Sequence, residues 1–89
     1  MIDITNHPLA PFFANMAREY DKGLAKYGPW SEIPDHKQAS AVKDEFCEWT
    51  AAYYNFDVHG EHGELAELPQ LANVAGKRWL ELRNRGESA

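Results

Sequence analysis

The chain has 89 residues, enough for one domain with a small core. Its 14 acidic residues outweigh 9 lysines and arginines and give a net charge of −5. That balance argues against tight binding to a nucleic-acid backbone, which needs clustered positive charge. Three Trp, four Tyr and four Phe argue against a disordered chain, and the single cysteine, Cys47, rules out an internal disulfide and a cysteine-rich zinc site. No apolar run approaches the ~20 residues of a membrane span, and the first residues lack a basic-then-apolar leader, so a soluble, cytoplasmic protein is expected.

The pattern along the chain predicts an all-α fold, a small bundle of three main helices, as a single domain over 1–89. The first helix, about 8–27, follows Asn6-His7-Pro8 and carries Leu9, Phe12, Phe13, Met16, Tyr20, Leu24 and Tyr27 at helical spacing. Gly28-Pro29 ends it. The loop that follows carries Trp30, which either stacks on a bound base or plugs the helix junction; a lone loop tryptophan favours the plug.

The second helix, about 36–56, is expected to start at Asp35 with Gln38 as its capping-box partner. Its apolar stripe is Ala39, Val42, Phe46, Trp49, Tyr53 and Phe56, a heptad-like alternation suited to an antiparallel helix pair. Glu45 and Glu48 border this stripe without pointing into its centre, and Cys47 falls on another face. Between Asn55 and Gly63 lies a polar break in which His59 and His62 have an H-x-x-H spacing, looser than a defined metal motif and better read as surface histidines in a turn. The third helix, about 61–84, places Leu65, Leu68, Ala72, Ala75, Trp79 and Leu82 in phase and is expected to be kinked or broken at Pro69. Lys77, Arg78, Arg83 and Arg85 gather near its C-terminal end, where cations complement the helix dipole.

Two acidic doublets carry the candidate chemistry, Asp44-Glu45-x-x-Glu48 and Glu64-x-x-Glu67. Carboxylates three residues apart share a helix face, so each doublet can offer two oxygens to one point. If the two helices run antiparallel, the doublets face each other and would need a hard cation such as magnesium or manganese to offset their repulsion. Taken alone, the spacing favours a plainer reading: glutamate is a good helix former and can decorate a solvated face. Lys77 and Arg78 are candidate phosphate-binding residues, and Trp30 or Tyr54 a candidate stacking partner for a base.

Lys43-Asp44-Glu45-Phe46-Cys47-Glu48-Trp49 resembles the first acidic motif of the all-α, MazG-like nucleoside triphosphate pyrophosphohydrolases. Gly63-Glu64-Leu65-Ala66-Glu67-Leu68 resembles their second, with Glu67 where the family has aspartate and Pro69 where it has uninterrupted helix. A rival register, Glu61-His62-Gly63-Glu64-Leu65-Ala66-Glu67 as the first motif, has no second motif after it. The resemblance implies a magnesium-dependent homodimer that splits a nucleoside triphosphate into monophosphate and pyrophosphate. It implies Glu45, Glu48, Glu64 and Glu67 as metal ligands, with Glu45 and Glu48 catalytic. Two readings from other classes stay open. One is a non-catalytic helical homo-oligomer whose acids are solvated or ion-paired; the other is a small-molecule pocket lined by Trp30, Trp49, Tyr53 and Trp79.

Overall fold

The computed structural model describes residues 4–87 and is all-α: among them lie three α-helices, two short 3-10 turns and no strand. None of the helices is long and apolar enough to cross a membrane. Helix α1 spans Ala10–Tyr27, α2 Asp35–Tyr54 and α3 Glu64–Asn84. α1 starts two residues later than its stripe suggests. Pro11, not Pro8, occupies the first turn, where a missing N–H is harmless. At the other end Gly28 adopts φ 77° and donates its N–H to the Leu24 carbonyl at 3.0 Å, a left-handed stop that a side chain would strain.

The capping box expected of Asp35 and Gln38 does not form, because α2 starts directly after Pro34 with no side-chain cap. Gln38 is instead fully buried. Its Nε2 donates to the Trp30 carbonyl at 2.9 Å and the Ile33 carbonyl at 2.8 Å, and its Oε1 accepts from Arg78 at 2.7 Å. Asp35 accepts from Arg78 at 2.9 Å and from Arg85 at 2.8 Å. Hydrogen bonds from Arg85 and Arg78 hold its carboxyl down at about 2. This polar clasp ties the 3-10 turn Trp30–Glu32 and the start of α2 to the C-terminal half of α3.

α2 ends at Tyr54, two residues short of its sequence pattern. The Asp57 N–H reaches back to the Ala52 carbonyl at 3.0 Å and the Phe56 N–H to the Tyr53 carbonyl at 3.2 Å, with Phe56 at φ 56°. These are the bonds of a Schellman stop, with phenylalanine where glycine is usual. Phe56 is therefore outside the helix and 92% exposed, not part of the apolar stripe. Asp57 then organises the turn. Its Oδ1 accepts from the Gly60 N–H at 2.8 Å and its carbonyl from the Glu64 N–H at 2.9 Å. Gly63 is buried at the start of α3, where an added Cβ would stand 2.8 Å from the Val58 backbone. α3 begins at Glu64 and runs through Pro69 without a break, although that proline cannot donate to the Leu65 carbonyl.

α3 is the middle of the layer. α2 packs on it antiparallel, with Gln38 meeting Arg78 at one end and Trp49 meeting Glu64 at the other. α1 packs on another side of α3, held by a 2.8 Å bond from Gln70 to Glu19, and has no comparable packing against α2. The line of α2 that faces α3 runs through Gln38, Glu45 and Ala52. At 100° per residue, the stripe of Ala39, Val42, Phe46 and Tyr53 lies about 90° away from it. α3 behaves alike: Glu67, Val74 and Arg78 face α2, while Leu68, Ala75 and Trp79 lie about a third of a turn round. The result inverts the sequence expectation. Gln38, Glu67 and Asn73 are buried, whereas Phe46, Tyr53, Leu65 and Trp79 are each more than half exposed.

Candidate metal centre

Because α2 turns its acidic edge toward α3, Glu45 and Glu48 meet Glu67, and one ligand oxygen from each lies within 4.8 Å of the others. Opposite ligands of magnesium stand ~4.2 Å apart and those of calcium roughly 4.6–5.2 Å, so closure by a fraction of an ångström gives either ion three protein oxygens. Glu67 is only 4% exposed and its Oε2 has no hydrogen-bond partner; Oε2 of the half-buried Glu45 is likewise shielded and unpartnered. A buried carboxylate oxygen without a donor is costly, and a cation or a proton is what relieves it. Burial, then the neighbouring Glu48 and Glu67 carboxylates, push the Glu45 carboxyl up to about 7. The donor set is all oxygen and suits a hard divalent cation better than zinc or copper.

Glu64, the fourth expected ligand, is not in this cluster. Its Oε1 accepts a hydrogen bond from Trp49 Nε1 at 3.1 Å, which holds the carboxylate one turn before Glu67. His62 takes up a position the sequence did not suggest, with Nδ1 3.3 Å from Glu67 Oε1. The H-x-x-H spacing drew attention to His59, yet the useful neighbour of His62 is five residues on, across a turn where helical periodicity has no meaning. A cavity of about 320 Å³ opens beside the cluster, lined in part by Glu48, Asn55, Asp57, His62 and Glu67.

Of the candidate substrate-binding residues, Trp30 and Lys77 come together. Lys77 Nζ lies over Gly23, 5.7 Å from the Trp30 ring centre and 5.9 Å from that of Tyr20, in a cleft of about 380 Å³. Desolvation lowers the Lys77 ammonium while the nearby Glu45 charge pulls it back up, so the cleft and the acidic cluster sense each other. Arg78 is committed to the clasp with Asp35 and Gln38. Tyr54 is 72% exposed on the side of α2 turned away from α3, its ring against Tyr53. Trp30, Trp49, Tyr53 and Trp79 are dispersed rather than gathered round one pocket. Trp30 lines the Lys77 cleft, Trp49 touches Phe46 and Glu64, and Trp79 borders an apolar groove with Met16 and Tyr20. No family model, no curated protein and no solved structure matches the chain.

Proposed function

We propose that this protein is a divalent-cation-dependent hydrolase of a nucleotide phosphoanhydride, a nucleoside triphosphate pyrophosphohydrolase. The observation that carries the reading is the buried Glu67 carboxylate, which has one unpartnered oxygen and one oxygen within 4.8 Å of oxygens of Glu45 and Glu48. Those three residues would hold magnesium or manganese, and the ion's chemistry is to neutralise phosphate oxygens and acidify a bound water. Glu45, whose carboxyl is pushed up to about 7 while no ion is bound, would give up that proton on taking the ion, and with Glu48 it would hold the ion-bound water in place. Lys77 offers positive charge to the phosphates, and Trp30 with Tyr20 offers a face to the base.

Thermal unfolding with magnesium, manganese and a panel of nucleoside triphosphates tests this. A cation-dependent rise in midpoint that Glu45→Gln/Glu48→Gln abolishes is expected, followed by pyrophosphate release with one of the triphosphates. A midpoint indifferent to every ion and nucleotide would sink the reading.

One finding favours a second reading, a helical module that assembles with itself and does no chemistry: Tyr53, Leu65 and Trp79 lie more than half exposed on a small chain. Cation-independent stability together with self-association is the outcome that reading predicts.

A further inference from the structure

We infer that the groove between α1 and α3 is a binding site for a small, flat-ringed molecule that carries an N–H or O–H donor. Met16, Ala17 and Tyr20 of α1 face Asn73, Gly76 and Trp79 of α3 across a largely apolar hollow of about 390 Å³, within the size range of natural small-molecule sites. Its lining includes none of Glu45, Glu48 and Glu67, so the inference stands whether or not those carboxylates hold an ion. Two aromatic rings and a flexible thioether suit a flat guest, and the Trp79 ring is already half uncovered.

The polar requirement comes from Asn73, which is 5% exposed and whose Oδ1 is closed to water and has no hydrogen-bond partner. A buried acceptor left in that state is costly until a donor reaches it. Asn73 lines the groove, and its amide turns about the last side-chain bond within a broad torsional well, so the oxygen can be brought to a guest. The guest must therefore donate; a carboxylate, which only accepts, does not suit this point. Gly76 supplies an independent observation. It lies inside α3, and a Cβ there would meet nothing within 4 Å, so packing within the chain does not call for glycine. Alanine would make the stronger helix. What the missing side chain leaves is open space in the groove wall.

Titration of the full chain with indole, followed by amide NMR shifts, tests this. Indole should shift the Gly76 amide and the Asn73 side-chain amide. It should bind about tenfold more tightly than indene, a bicycle of the same shape without the N–H. Asn73→Leu, similar in size and without polar atoms, should level the two affinities. Gly76→Leu, which puts a side chain into the hollow, should raise the thermal midpoint of the free chain and erase the indole shifts. Should Asn73→Leu fail to fold, the indole-to-indene ratio on the parent chain and the Gly76→Leu result decide the matter. No shifts at millimolar indole, equal affinity of the parent chain for indole and indene, or indole binding that survives Gly76→Leu would each overturn the inference.

Discussion

Glu45 sits where burial and two neighbouring carboxylates act together, and its proton is the local substitute for a cation. The folded carboxyl holds that proton up to about 7, against 4.5 for an ordinary glutamate. The folded state is thus the better proton binder between those values. The stability this confers is full at low pH and is lost as pH rises through 7. Without metal, the denaturant midpoint should fall between about pH 5 and pH 8. Once solvent screening of a half-exposed group is allowed for, the loss is ~1–2 kcal/mol. Added magnesium or manganese should help more as the proton leaves, so the gain grows through the same window. Glu45→Gln should flatten the profile and remove the cation response; a variant with the parental slope would show that Glu45 does not govern it.

The helices themselves were legible because their punctuation is local. Gly28-Pro29, Pro34-Asp35 and the run from Asn55 to Gly63 each stop or start a helix through backbone chemistry that needs no tertiary partner. What the pattern could not show was how each helix is rotated. An apolar stripe predicts a buried face, but burial can be supplied by another chain, and here the stripe and the line facing α3 differ by about 90°. That rotation moved Glu45 from the border of the apolar stripe onto the line facing α3, where it is half-buried, and buried Gln38, for which a capping role was expected. It also explains why three of the four expected acids meet: Trp49, a stripe residue on α2, lies within reach of Glu64 and captures it. At the end of α2 the pattern ran past the stop because Phe56 looks apolar and in phase, while its backbone is left-handed. A non-glycine residue in that region costs ~1–2 kcal/mol, and glycine's extra freedom in the unfolded chain returns part of this. Phe56→Gly should therefore stabilise the protein by about 0.5–1 kcal/mol in urea unfolding. A destabilised variant would mean that the exposed ring is held by something other than its own chain.

Across the whole molecule, cohesion is unevenly distributed. α3 carries contacts on two sides, whereas α1 packs on α3 and the short turn Ile4–Asn6 and contains no buried residue. Backbone amides of α1 should exchange with deuterium at least tenfold faster than those in the middle of α2 and α3, because local opening of α1 disrupts little else. Equal protection across the three helices would show that the layer opens only as a unit.

The position of Lys77 gives that uneven cohesion a further meaning. Its ammonium rests over Gly23 of α1 and beside the rings of Tyr20 and Trp30, so the roof of its cleft is the most loosely attached helix of the fold. A guest held there would rest in part on Tyr20 and Leu24 of α1, so local opening of that helix would loosen the hold on it. A tighter α1 would lengthen residence without touching a single contact to the guest.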